Sequence, residues 1–153
     1  MSEAFIFNIV KEGDRHLKGR IADIIFQSIY RLKYANRFKL LSATWRNDHE
    51  FEFVMRHHEF LLGNSFSEED IEFLRAQVVH GRGPPSFDYV GFEMPKRKIL
   101  LDVKSTTGSC KTFVFSPNQR KVITMAKALG FGVYIAYLRF LENWNVEIRL
   151  IEV

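Results

Sequence analysis

Residues 86–104 read SFDYVGFEMPKRKILLDVK, and this stretch decides the predicted fold. Two runs rich in apolar residues, at 87–93 and 98–105, cover this stretch and are separated by a polar turn through 94–97. Runs of this length on either side of a turn are typical of a β-hairpin. The sequence therefore predicts two antiparallel strands in the middle of the chain.

Regular elements are also predicted on both sides of this hairpin. Upstream, apolar residues recur at spacings of three and four between 15 and 34, which predicts an amphipathic helix. Downstream, Ser116 with the proline after it opens a helix that Gly130 ends. The β-branched and aromatic run at 132–140 predicts a buried strand, and alternation at 146–153 predicts a final one.

The region between the first helix and the hairpin contributes further elements. Short strands are predicted at 38–45 and 50–56, followed by a helix at 67–79 and a glycine- and proline-rich loop at 80–85. Helices interleaved with strands predict an α/β fold with a mixed central sheet flanked by helices. The 153 residues fit one domain, in which the acidic strand-helix region 47–80 is predicted to be an insertion.

Composition excludes several classes of protein. The chain has one cysteine, Cys110, so it forms no disulfide within itself and no four-cysteine zinc or iron–sulfur site. No apolar run approaches the roughly 18 residues that a membrane span needs. Residues 1–10 lack the basic start of a secretory signal. We therefore expect an intracellular protein that does not enter a membrane.

Charge is distributed in blocks along the chain, although the net charge is only +4. Eight basic residues and one acid, Asp23, lie between 15 and 46, whereas eight acids and one base, Arg56, lie between 48 and 72. The chain is basic again from 82 to 121. Two basic segments around an acidic one favour a surface that binds a polyanion, but a solvated mixed surface would give the same pattern.

The polar residues of the hairpin form the strongest candidate site. Because side chains alternate along a strand, Asp102 and Lys104 share one face of the second strand. Strand pairing can bring Asp88 to the same place. Two carboxylates that meet repel each other unless a cation lies between them, and oxygen ligands of this kind suit Mg²⁺ or Mn²⁺. A lysine beside the metal can orient a water molecule and favour its deprotonation, while the metal stabilises charge on a phosphate.

Asp88 followed by Asp102-Val103-Lys104 resembles the motif of the PD-(D/E)xK nuclease superfamily, which includes type II restriction enzymes and archaeal Holliday junction resolvases. This triplet is the only Asp/Glu-x-Lys in the sequence. The resemblance extends over 15–35 and 86–140, where helices and strands follow in the family's order. It implies a restriction-endonuclease-like core and hydrolysis of phosphodiester bonds in DNA with Mg²⁺ or Mn²⁺.

The resemblance also implies a role for each motif residue. Asp88, Asp102 and the Val103 carbonyl would hold the metal, and Lys104 would position or activate the water. The sequence departs from the motif at Phe87, which stands where proline is usual.

Two further catalytic residues are implied by the segments around the motif. The segment from Lys18 to Asp23 is similar to the acid-bearing first helix of resolvase-like members, although glutamate is more usual at that position. Gln119 matches the glutamine of a later helix in the family. It also completes a capping box with Ser116, which would give it a purely local role.

DNA is the expected partner, and a homodimer is the expected assembly, because family members of this size commonly pair. The predicted nucleic-acid contacts are Arg20, Lys33, Arg37, Lys96, Arg97 and Lys98. Two alternatives stay open. One is a nucleic-acid-binding protein with a degenerate site, in which Asp102 and Lys104 form only a surface ion pair. The other is an RNA endonuclease on the same scaffold.

Overall fold

The computed structural model describes residues 3–6, 15–43, 45–79, 87–107 and 112–153. Its elements, in chain order, are α1 (Arg15–Ile29) with a π-helical turn (Tyr30–Tyr34), β1 (Phe38–Ser42), α2 (Asp48–Arg56), α3 (His58–Leu62), α4 (Glu68–Val79), β2 (Tyr89–Glu93), β3 (Arg97–Thr107), α5 (Pro117–Ala128), β4 (Gly132–Phe140) and β5 (Val146–Glu152). The loop predicted at 80–85 and Cys110 lie outside the described residues. In these ranges, no helix combines the length and the apolar character that crossing a membrane requires.

The five strands form one mixed sheet in the order β1-β2-β3-β4-β5. β3 and β4 are parallel, and the other neighbouring pairs are antiparallel. The predicted central hairpin is confirmed, with Tyr89 opposite Leu101. At Gly91 the sheet leaves no room for a side chain, because a β-carbon would collide with the Lys39 carbonyl oxygen. The predicted α/β class with a mixed sheet is therefore confirmed.

Apolar layers cover both faces of the sheet. α1 packs through Phe26 against the face that carries Leu101. α5 packs through Val122 against the opposite face, which carries Leu100, and α2, α3 and α4 join this second layer with residues such as Phe51. Adjacent leucines point to opposite layers because side chains alternate along β3, and each fully buried leucine contributes about 1.5–3 kcal/mol.

The strand predicted at 50–56 is wrong, because Asp48–Arg56 forms the helix α2. The apolar residues in this segment fit both periods, so alternation alone was not decisive. Phe51 and Met55 lie four positions apart and are buried together, whereas Phe53 between them is 64% exposed. That burial pattern is helical, and it makes the acidic region a set of helices rather than a strand and a helix.

Capping explains why this segment is helical. The Asn47 side-chain oxygen accepts a hydrogen bond from the Glu50 amide at 2.9 Å. Asp48 and Glu50 lie in the first turn, where negative charge stabilises a helix. Two boundaries also differ from expectation: β1 ends at Ser42, and the last part of the first predicted helix is π-helical.

α4 begins with the capping box that its sequence predicts. Ser67 Oγ accepts from the Asp70 amide at 3.1 Å, and Asp70 Oδ2 accepts from the Ser67 amide at 3.2 Å. The other carboxylate oxygen of Asp70 accepts from Lys98 Nζ at 2.6 Å, and this ammonium group also lies 4.8 Å from the centroid of the Phe131 ring. Lys98 thus joins α4 to the hairpin.

We expect Lys98→Met to lower the free energy of unfolding by about 3–5 kcal/mol, because Asp70 would stay buried without its cation. The side chain of Asp70 is only 4% exposed. Lys96→Met, in the exposed turn of the same hairpin, is the matched control and should change stability by less than about 0.5 kcal/mol. Urea denaturation measures both variants. Equal, small changes would mean that Lys98 is not needed to neutralise Asp70.

Candidate metal centre

The candidate site lies where β3 runs past the start of β2. Tyr89, the first residue of β2, pairs with Leu101, so residues 102–107 have β4 on one side and, within the described chain, no strand on the other. Asp88 stands at the start of this open edge. Its carbonyl oxygen accepts from the Ala43 amide at 2.8 Å, and its Oδ2 accepts from the Val103 amide at 2.7 Å. The main-chain amides of Ala43, directly after β1, and of Val103 in β3 therefore fix Asp88.

Asp102 is the second carboxylate of the site. Its side chain is 9% exposed and neighbours the carboxyl group of Asp88. Burial, and after it the hydrogen bond and negative charge of Asp102, raise the pKa of Asp88 to about 8, while the Val103 amide and Lys104 act in the opposite direction. Ionising Asp88 beside Asp102 is therefore unfavourable, and a bound cation would offset that cost.

Gln119 joins the carboxylates to Lys104. Its Nε2 donates to Asp102 Oδ2 at 3.0 Å, and its Oε1 accepts from Lys104 Nζ at 3.2 Å. The ammonium group also lies 3.4 Å from Asp102 Oδ2 and 5.6 Å from the centroid of the Phe115 ring. These contacts hold the lysine amine beside the carboxylate pair.

The start of α5 determines the position of Gln119. Ser116 Oγ accepts from the Gln119 amide at 3.1 Å, and Gln119 Oε1 accepts from the Ser116 amide at 3.4 Å. The predicted capping box is therefore confirmed. The same side chain also reaches Asp102 and Lys104, so capping and site contact coexist in one residue.

The donor atoms available to a cation are two carboxylates and a main-chain oxygen. Across the described ranges, no group of three or more histidine, cysteine, aspartate or glutamate side chains converges. The amide and carbonyl of a strand residue point to the same edge, so the Val103 carbonyl faces the edge where Asp88 binds the Val103 amide. Mg²⁺ commonly takes one or two carboxylates and keeps several waters, which this donor set fits.

Asp23, a predicted site residue, has different neighbours. Its Oδ1 accepts from the Tyr89 hydroxyl at 2.6 Å, and its Oδ2 accepts from Gln27 Nε2 at 3.2 Å. Burial, and then the hydrogen bond to Asp23, raise the pKa of Tyr89, so the phenol keeps its proton. α1 and α5 cover opposite faces of the sheet, so Asp23 approaches from the side away from Gln119. Its catalytic role stays a prediction.

Three of the six predicted nucleic-acid contacts form ion pairs with acidic residues of the described chain. Those with acidic partners are Arg37 and Arg97, which both contact Glu93, and Lys98, which contacts Asp70. Arg20, Lys33 and Lys96 are exposed, as are Arg37 and Arg97, whereas Lys98 is half-buried. The hairpin turn lies at the far end of β3 from Asp102, roughly 17 Å away along the strand. Binding of nucleic acid by these six residues stays a prediction.

Two neighbours of the site were not predicted from the sequence. Phe115 lies against the Lys104 amine, and Tyr89 binds Asp23. Phe115 directly precedes the capping serine of α5, and Tyr89 directly follows Asp88. Adjacency to a motif residue is the only signal the sequence offers for them, since both contacts depend on how helices pack against the sheet.

In metal-free protein, we expect Asp88→Asn to change how stability depends on pH. The ordinary pKa of 3.8 applies to the unfolded chain, whereas the folded value is about 8. Between these values the folded protein holds a proton that the unfolded chain has lost, so the stability of the parent falls as pH rises. The amide does not titrate and keeps an acceptor for the Val103 N–H. Urea denaturation with a chelator, from about pH 4 to pH 9, should show a flatter profile for the variant. Parallel profiles would contradict the raised pKa.

Neither the family models nor the curated proteins with which the chain was compared contain a match. The function of the protein is therefore inferred from the geometry of this site.

Proposed function

We propose that the chain is a metal-dependent nuclease that hydrolyses phosphodiester bonds in DNA. The observation that carries this proposal is the contact between Asp88 and Asp102 beside an ammonium group that Gln119 holds in place. Two adjacent carboxylates, one half-buried and one buried, are unfavourable without a proton or a cation, and they lie at the edge of β3 where the described chain places no strand. Such a pair with an adjacent lysine suits hydrolysis of a phosphate ester.

The order of the elements supports a restriction-endonuclease-like core, as in the PD-(D/E)xK superfamily. A helix is followed by three antiparallel strands, a second helix and a strand parallel to the third. The acidic helices between β1 and β2 interrupt this order, which fits the insertion predicted at 47–80. The site residues Asp88, Asp102 and Lys104 lie on or next to the second and third strands.

Each residue then has a distinct task. Asp88, Asp102 and the Val103 carbonyl would hold Mg²⁺ or Mn²⁺, which supplies positive charge to the phosphate and acidity to a bound water. Lys104 orients the attacking water and favours its deprotonation, because its amine is fixed beside the carboxylates. Gln119 positions Lys104 and Asp102 relative to each other. In this scheme Asp23 takes no direct part in the reaction, because its carboxylate is hydrogen-bonded to Tyr89 and Gln27.

Cleavage assays on a panel of nucleic acids test this function. The purified chain is incubated with duplex, single-stranded and branched DNA and with RNA, in Mg²⁺, in Mn²⁺ and in chelator, and Asp102→Ala serves as the inactive control. Metal-dependent cleavage of DNA is expected. Cleavage confined to RNA would favour the RNA endonuclease, and binding without cleavage would favour a degenerate site. Sedimentation of the same samples checks the predicted homodimer.

A further inference from the structure

A cleft lies next to the carboxylate pair, along the open edge of β3. Its volume is about 560 Å³, and Val103 and Lys104 form the end that it shares with the candidate metal centre. It extends between the first turns of α1, at Lys18 and Gly19, and the end of β4, at Phe140. Pockets that hold small molecules measure about 300–1,000 Å³, so this cleft has room for a group of nucleotide size.

The polar part of the lining is suited to a phosphate and a sugar. The hydroxyl-bearing residues of this part are Ser105, Thr106, Thr107 and Thr112. Lys18 lines the same cleft from α1 and, among the residues that the structure describes, has no ion-pair partner. No described lining residue is an aspartate or glutamate. An anionic group in the cleft would therefore meet donors and a cation without a repelling carboxylate.

The remaining lining is aromatic. Phe113 and Tyr137 have ring centroids 5.3 Å apart, and Phe140 lies at the end of the cleft. Tyr137 is buried, and its hydroxyl donates to the Thr112 carbonyl oxygen at 3.2 Å, which fixes this wall. Proteins that bind single strands use this combination, since bases stack on aromatic rings while cations bind the backbone.

We propose that the cleft holds one unpaired nucleotide next to the scissile phosphate, with its phosphate at Lys18 and its base against Phe113. This inference rests on the proposed function and narrows its substrate to DNA that is single-stranded or splayed at the cut. A base of a continuous duplex has to leave its stack before it enters such a cleft, and that costs a few kcal/mol. The cleft therefore favours strand ends, flaps and single strands over intact duplex.

Binding without metal tests the cleft separately from cleavage. In buffer with chelator, fluorescence anisotropy gives the affinity of the full chain for a single strand, a duplex with a single-stranded end, and a blunt duplex. We expect the first two to bind about tenfold more tightly than the blunt duplex. One base stacked on an aromatic ring contributes about 1–3 kcal/mol, which is roughly 5- to 150-fold in affinity. Equal affinity for all three would overturn the proposal.

Two variants test whether the preference for single strands arises in the cleft. Phe113→Leu keeps an apolar side chain but removes the ring, so it should lower single-strand affinity about tenfold. Lys18→Gln should lower the slope of log affinity against log salt by about 0.7, the share of one phosphate in a single strand. Lys127→Gln, in the last turn of α5 and outside the lining, is the matched control and should bind like the parent. Parent-like binding by both cleft variants would remove the cleft as the binding site.

The failure of this inference is distinguishable from failure of the nuclease proposal. Metal-dependent cleavage by a protein whose cleft variants bind normally would leave the nuclease standing and remove the cleft. Selective binding of single strands that depends on Phe113 and Lys18, without cleavage in Mg²⁺ or Mn²⁺, would support the cleft and remove the nuclease.

Discussion

Lys104→Ala is expected to abolish DNA cleavage while leaving the affinities for DNA and for Mg²⁺ nearly unchanged. The Lys104 amine lies 3.4 Å from Asp102 Oδ2, where it is placed to activate a water beside the carboxylates rather than to bind the metal. A group that moves a proton in the transition state typically contributes about 10²–10⁴-fold in rate, so the loss should be at least that large. Single-turnover cleavage measures the rate, and calorimetry and anisotropy measure the two affinities.

Three further variants serve as controls for Lys104→Ala. Lys104→Arg should rescue poorly, because a guanidinium keeps the charge but not the compact, titratable amine. Gln119→Ala should slow cleavage less than Lys104→Ala, since it removes the contacts that orient the amine and Asp102 but keeps both of these groups. Lys127→Ala, at the far end of α5, should cleave at the parent rate. Parent-rate cleavage by Lys104→Ala would instead support the degenerate-site alternative.

Asp102→Ala is expected to remove Mn²⁺ binding. Loss of residues that only support a metal ligand costs about 10–100-fold in affinity, so loss of a ligand itself should exceed about 100-fold. Asp102 is the buried member of the pair and contacts both Asp88 and the Gln119 side-chain amide, and among the described residues no third aspartate, glutamate, histidine or cysteine joins the pair. Calorimetric titration of the parent and the variant with Mn²⁺ measures the difference. Equal binding by both would show that these carboxylates are not the metal site.

Asp23→Asn is the matched control for that titration. The Asp23 carboxylate is engaged by Tyr89 and Gln27, and both bonds can persist in part with an amide. We therefore expect Mn²⁺ affinity to stay within a few-fold of the parent. A loss as large as that of Asp102→Ala would place Asp23 among the metal ligands.

Most of the fold can be predicted from local sequence patterns. The hairpin, the capping boxes at Ser67 and Ser116 and the buried strand at 132–140 all depend on residues close together in sequence, and all are found in the structure. The strand predicted at 50–56 failed because its apolar residues satisfy two periods at once. Packing decided between them, by burying Phe51 and Met55 on one side of a helix.

The candidate site, like the fold, could be predicted from the sequence only in part. The period of a strand is enough to place Asp102 and Lys104 on one face of β3, because alternation is a property of the extended backbone itself. The sequence could not show that Asp88 ends the pairing of β2 by binding the Val103 amide, since that depends on register between strands.

Contacts between distant elements were decided only by the tertiary structure. The bond of Gln119 to Asp102 requires α5 to pack on one particular face of the sheet, and the bond of Asp23 to Tyr89 requires α1 to pack on the other. Lys98 likewise meets Asp70 only because α4 docks against the hairpin. The sequence by itself thus determined the hairpin, the last two strands, the caps and the face of the motif, which depend on residues close together in sequence. Which side chains meet at the site was set by the burial of apolar surface between layers, and that depends on the whole chain.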